Sequence, residues 1–220
     1  MTVNGRGYEV WTVAMLKGGV RKTTTAWFLA SALAKFGFTP ACLDADPGTQ
    51  GVTDWATRIV VETGAVDALP FDVAQWTARY GLLVPFIQQQ QATHLNSHIL
   101  VDVGSEVPEV VRQAAAWSTL AILPVGAEQA ELARLSATSD LVKDAGVLVP
   151  QIVVLTRVPQ PGKGAAKAVR AMLEQEGYRV AETEIPHNRD VYAHPFGMLL
   201  ADLGAYADLA QELAEDRTRG

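Results

Sequence analysis

Lys17, Gly18, Gly19 and Lys22, followed by Thr23 and Thr24, lie between an apolar run ending at Met15 and a long apolar stretch that starts at the threonines. A strand, a glycine loop and a helix N-terminus in that order make an anion site. Unpaired backbone N–H groups and the positive end of the helix dipole face the same point. Lys22 would add a point charge at the β- and γ-phosphates of a nucleotide, and the Thr23 hydroxyl a ligand for Mg2+. The bland alternative is a lysine–glycine turn ahead of an ordinary helix.

Acids in two further segments could serve the same chemistry. Asp44 and Asp46 end the apolar run ACLDAD, and Pro47 stops it. A carboxylate at a strand end beside a phosphate loop can position and polarise an attacking water. Asp102 ends HILVD, where an acid can hold a Mg2+-bound water at the carboxyl end of a central strand. Gly104 and Ser105 follow and would let that loop approach a γ-phosphate. Read singly, the Asp44–Asp46 pair is also a solvated turn, and Asp102 a common way for an apolar strand to end.

The elements that must hold these groups alternate along the chain. Strands are expected at Val10–Met15, Ala41–Asp44, Val66–Val73, His98–Val103, Leu120–Val125, Gln151–Thr156 and Tyr178–Ile185. Helices are expected at Thr23–Phe36, Val52–Glu62, Ala78–Gln91, Glu109–Trp117, Glu128–Asp144, Gly164–Glu176 and Gly204–Asp216. Several strands are nearly all apolar, as when helices cover both faces of a parallel sheet. The repetition predicts a doubly wound α/β fold with a mostly parallel sheet, in a single domain covering residues 1–220.

Composition narrows the function classes. The chain has 220 residues, 49% of them hydrophobic, too many for a disordered protein. A net charge of −6 argues against a protein that coats nucleic acid over its whole surface. The one cysteine excludes an internal disulfide and an all-cysteine metal site. No apolar run predicts a signal peptide or a membrane span, so a cytoplasmic protein is expected. His94 and His98 are four apart, but His98 starts a strand, which argues against a metal pair. Trp27 and Trp117 sit in apolar helices and read as core.

The first motif departs from the strict phosphate-loop pattern G-x-x-x-x-G-K-[ST], with Leu16 and Arg21 at the glycine positions. With its extra lysine at Lys17, it resembles the deviant loop K-G-G-x-G-K-[ST] of the ParA/MinD ATPases, Arg21 being the one departure within it. The segment from Asp44 resembles the same family's D-x-D-P-Q-G motif, with the glutamine displaced to Gln50. The HILVD run is similar to the family's Walker B strand. The resemblance runs from Val10 to about Ala214 and is nearest to the small ParF-like plasmid partition ATPases. The single cysteine excludes the iron–sulfur branches, the acidic tail disfavours a MinD-type membrane helix, and the short N-terminus leads us to expect no separate DNA-reading domain.

The resemblance implies a P-loop ATPase that binds ATP and Mg2+ and dimerises on ATP. Lys17, Gly18, Gly19, Val20, Arg21, Lys22, Thr23 and Thr24 would enclose the phosphates, with Lys17 reaching those of the partner subunit. Asp46 would orient water, and Asp44 would support the metal shell or its own loop. Thr23, Asp46 and Asp102 would serve the metal. Thr156, Arg157, Pro186 and His187 loosely match the positions that flank the adenine, and equally read as ordinary strand ends. A centromere-binding adaptor would stimulate hydrolysis, and nonspecific DNA would place the protein on the nucleoid. Lys163, Lys167 and Arg170, one face of a helix, could grip DNA phosphates or form a solvated face. Two rivals remain at this point: a nucleotide-binding scaffold that does not hydrolyse, favoured by Arg21, and a related enzyme transferring a phosphoryl group to a metabolite.

Overall fold

The nearly continuous apolar runs of the sequence become the centre of one sheet. The computed structural model describes residues 7–65, 67–159, 164–187, 192 and 202–219. Along the chain run β1 (Glu9–Val13), α1 (Lys22–Lys35), β2 (Pro40–Ala45), α2 (Gly51–Thr63), β3 (Asp72–Gln75), a short 3-10 turn (Ala78–Tyr80), α3 (Leu83–His94) and β4 (His98–Val103). There follow α4 (Pro108–Trp117), β5 (Leu120–Val125), α5 (Gln129–Lys143), β6 (Gln151–Leu155), α6 (Gly164–Gln175) and α7 (Ala205–Arg219). The six strands lie in the order β3-β2-β4-β1-β5-β6. All five pairings are parallel. The doubly wound α/β architecture expected from the sequence is therefore present, with a sheet that is wholly parallel.

Burial on both faces explains the composition of the strands. Val10 and Ala14 pack with α3, α4, α5 and α6 on one side. Trp11 and Val13 pack with α1, α2 and α7 on the other. The β-branched Thr23-Thr24-Thr25 run is a weak helix former, yet it opens α1, most of which is buried. Tertiary burial outweighs propensity there. Trp27 is core, edge-on to both Trp55 and Phe71. Trp117 is only half-buried and donates its indole N–H to the Tyr8 hydroxyl.

Three expected elements differ. The strand expected at Val66–Val73 is formed later, at Asp72–Gln75, after the Leu69-Pro70 turn. The helix expected at Ala78–Gln91 is split, because Gly81 turns the chain at φ 81° between the 3-10 turn and α3. The last expected strand, Tyr178–Ile185, builds no continuous ladder on β6: it meets β6 at the isolated bridge of Val153 with Val180 and again where the Ile185 N–H donates to the Leu155 carbonyl, just before a second bridge, Val158 with Pro186, beyond the end of β6. Between them the N–H groups of Glu182 and Thr183 turn away to the Glu212 carboxylate of α7, at 2.8 and 2.9 Å. A ladder cannot continue where its donors are taken by a helix side chain.

Candidate functional site

The strand order puts β1 at the centre, with β4 on one side and β5 on the other. The chain moves from β1 outward to β2 and later returns through β4 to β5, so a crevice opens beyond the carboxyl ends of β1 and β4. The glycine loop emerges from β1 at this crevice. Asp102 lies near the end of β4, in register with Val13 of β1 and Asp44 of β2. Three motifs far apart in sequence thus converge on one edge of the sheet.

The loop enters α1 through Arg21, whose backbone sits at φ 71°, ψ 28°, the left-handed conformation. That conformation costs a side-chain-bearing residue roughly 1–2 kcal/mol. Its carbonyl accepts the Thr25 N–H at 2.8 Å, and its guanidinium Nη1 donates to the Tyr192 carbonyl at 2.7 Å. Arg21 therefore adopts the backbone shape a glycine would supply, and its charge is tied to the segment ahead of α7. The turn stays open: a cleft of about 270 Å³ is lined by Gly18, Gly19, Arg21, Lys22, Asp46 and Ser105, among others.

Lys22 is buried and donates to the Lys17 carbonyl of its own loop at 3.2 Å. Burial pushes its ammonium below the ordinary lysine value, while the charges of Asp102 and Asp46 pull the other way. The Thr23 hydroxyl donates to Asp102 Oδ2 at 2.7 Å. Asp102 Oδ1 is buried and has no hydrogen-bond partner. Burial raises the Asp102 carboxyl to about 7, opposed by the Thr23 bond and Lys22 and reinforced by Asp44 and Asp46.

Asp44 near the end of β2 and Asp46 just beyond it divide the work. Asp44 accepts the N–H and the hydroxyl of Thr53, both at 2.9 Å, and the Asp46 N–H at 3.2 Å. It thereby caps the first turn of α2 and pins the loop. Burial raises it, against the lowering effect of those bonds. Asp46 faces the cleft. Burial would raise it, but the Thr49 hydroxyl, the N–H groups of Gly48 and Thr49 and the Lys22 charge together hold it below the usual carboxylate value. The displaced glutamine is explained here. Gly48 and Thr49, the two residues between Pro47 and Gln50, turn onto Asp46, and Gln50 takes the left-handed N-cap of α2 at φ 47°. Gly104 is required by this packing, because a Cβ there would stand 2.6 Å from Asp46 Oδ1.

The other candidate residues lie apart from this cleft. Thr156, just after β6, has a buried hydroxyl with no partner among the described residues. Arg157, at φ 56°, turns to Glu131 and Glu128 near the start of α5. Pro186 bridges to Val158, and His187 is exposed. None of these four lines this cleft. Of the basic stripe, Lys163 lies outside the described residues, Lys167 is exposed, and Arg170 is bound to Glu184, Glu174 and the Glu182 carbonyl. Lys167 and Arg170 share a hollow with Glu182, Glu184 and Asp208.

Sequence reasoning passed over Glu128 and Glu131, which meet Lys17 across the top of the sheet at 3.8 and 3.5 Å. The signal was present in AEQAEL: two acids three apart where a helix follows the strand next to β1. Among the described residues, no group of three or more His, Cys, Asp or Glu could hold a metal ion, and no helix is long and apolar enough to cross a membrane.

The fold matches solved structures over almost their whole length. A putative plasmid partition protein from Borrelia burgdorferi, bound to AMPPNP, superposes with a TM-score of 0.73 at 17% identity, covering 97% of this chain and 99% of that one. The MinD cell division protein of Aquifex aeolicus gives 0.73 at 18%, covering 94% and 97%. Cobyrinic acid a,c-diamide synthase from Mycobacterium smegmatis, with bound ADP and magnesium, gives 0.70 at 14%, covering 96% of each chain. No curated protein matches the sequence. The model of the CobQ/CobB/MinD/ParA nucleotide binding domain matches residues 11–199. That match spans most of the chain, and the chain belongs to that nucleotide-binding family.

Proposed function

We propose that this chain is a Mg2+-dependent ATPase of the partition type, which dimerises on ATP and positions DNA or another cargo. The observation that carries this reading is the Thr23–Asp102 pair beside Lys22: a buried carboxylate with one oxygen bound to a hydroxyl and the other without a partner. A hard cation with oxygen ligands fits that donor set. Thr23 and Asp102 would hold Mg2+, with Asp46 across the cleft. The remaining ligands would be phosphate oxygens and water. When bound, the ion neutralises charge on the phosphate oxygens.

The protein's own groups supply the rest. The loop N–H groups from Gly18 to Thr24 and the N-terminus of α1 receive the phosphates, and Lys22 exchanges its loop carbonyl for them. Asp46, held ionised, orients the attacking water. Lys17 reaches the phosphates of a partner subunit, and an adaptor protein and DNA stimulate turnover. Lys163 and Lys167 make the DNA contact, with Arg170 anchoring the helix that carries them. The protein then works in the cytoplasm, on the nucleoid.

One observation favours a second reading, a nucleotide-binding scaffold without turnover. Both oxygens of Asp46 are already engaged by Gly48 and Thr49. Phosphate release from ATP–Mg2+, with and without duplex DNA, separates the two. The partition reading expects turnover that rises with DNA. Absence of release at every DNA concentration, with ATP still bound, supports the scaffold.

A further inference from the structure

Lys17 does not line the phosphate cleft. Its ammonium lies instead against α5, 3.5 Å from Glu131 Oε1 and 3.8 Å from Glu128 Oε2. Glu131 is only 1% exposed, a rare burial for a carboxylate, and it is fully engaged. Its Oε2 accepts the Gly126 N–H at 2.5 Å, and its Oε1 pairs with Arg157. Arg157 also meets Glu128 at 3.3 Å. Two cations and two acids thus form a closed cluster between the glycine loop, the first turn of α5 and the end of β6.

The partners of Glu131 are held unequally. Gly126 and Arg157 make close hydrogen bonds, so the carboxylate stays satisfied without help from the loop. Lys17 stands beyond good hydrogen-bond distance, on a side chain 30% exposed. It can leave without stranding a buried charge. A lysine held by charge alone, beside a glycine loop that can turn, is a releasable contact.

We propose that Glu131 is a positioning residue that parks Lys17 away from phosphate in the nucleotide-free chain, with Arg157 keeping Glu131 in place when Lys17 departs. Polyphosphate competes with Glu131 for Lys17, so occupancy of a phosphate site frees that lysine from α5. The inference rests on the nucleotide-binding reading above, but the parked contact itself exists without nucleotide.

Two measurements test it separately. In the nucleotide-free chain, acylation of Lys17 is followed by mass spectrometry in wild type and Glu131→Gln, which keeps an acceptor for Gly126. Lys17 is expected to react at least threefold faster in the variant, with surface lysines unchanged; equal rates overturn the proposal whether or not ATP binds. Calorimetric titration of ATP–Mg2+ into wild type, Glu131→Gln, Lys17→Ala and the double variant gives the coupling. Glu131→Gln is expected to tighten ATP three- to tenfold, and to change it less than twofold once Lys17 is alanine. The same effect in both backgrounds, or weaker binding with Lys17 present, overturns it. Should Glu131→Gln fail to fold, the exposed Glu128→Gln carries both tests with a smaller expected gain, and no gain overturns the proposal. Failure of wild type to bind ATP, with Lys17 still unmasked by Glu131→Gln, would refute the nucleotide reading and leave the parked lysine standing.

Discussion

The Thr23 hydroxyl donates to Asp102 Oδ2 at 2.7 Å, and among the described residues this is the only hydrogen bond that buried carboxylate makes. An acid so placed is costly to ionise without a cation. Burial raises it to about 7, against about 3.9 in an unfolded chain. Between those values the native protein holds a proton that the unfolded chain has lost, so native stability falls as pH rises through that window and levels off above 7. Asp102→Asn removes the ionisation. It should be more stable than wild type at pH 8 by a few kcal/mol, with the gap reduced by more than half at pH 5. Denaturant unfolding at the two pH values reads this, and a gap that grows on acidification contradicts it.

Asp46 sets a different expectation, because its carboxylate is held below the usual value and faces the cleft. Asp46→Ala should keep ATP–Mg2+ affinity within about fivefold while turnover drops roughly a hundredfold or more, the scale of a lost water-orienting group. Phosphate release under saturating ATP measures it. Release equal to wild type means another group prepares the water.

Arg21 carries the family glycine's backbone shape on a residue that pays for it. Arg21→Gly relieves about 1–2 kcal/mol of left-handed strain, but loses the bond to the Tyr192 carbonyl and gains about 0.5–1 kcal/mol of chain entropy to lose on folding. Stability should change by less than about 1 kcal/mol, and ATP affinity by less than threefold. A tenfold loss of affinity would make the guanidinium a phosphate ligand.

Within the basic stripe, Arg170 is held by Glu184 and the Glu182 carbonyl on a largely buried side chain. Arg170→Ala should lower unfolding free energy by about 1–3 kcal/mol, the cost of stranding its partners. Lys163→Glu with Lys167→Glu should instead leave stability within about 0.5 kcal/mol and weaken DNA binding with a shallower salt dependence. DNA affinity unchanged in that double variant removes the stripe from the interface.

What the sequence revealed was what local chemistry dictates. The apolar runs gave β1, β2, β4, β5 and β6, and the Lys22–Thr24 and Asp44–Asp46 segments gave two walls of the cleft. Asp102, ambiguous alone, gained meaning only when β4 was seen between β1 and β2. Three features escaped the sequence, two of them set by contacts across the fold and one by a local turn. Glu212 of α7 diverts the chain from a seventh strand, Gly48 and Thr49 fold back on Asp46, and Glu131 captures Lys17 from more than a hundred residues away. Only the acid pair of AEQAEL carried a local signal; Glu212 and the Gly48-Thr49 turn read locally as solvated surface.

The most direct test of the account is calorimetric titration of ATP–Mg2+ into wild type and Lys22→Ala. Lys22 is the buried charge around which the loop, Asp102 and Asp46 are arranged. The account predicts measurable binding by the wild type and a loss of at least about a hundredfold, roughly 2.7 kcal/mol, in a variant that remains folded. Equal affinity in the two proteins would contradict it.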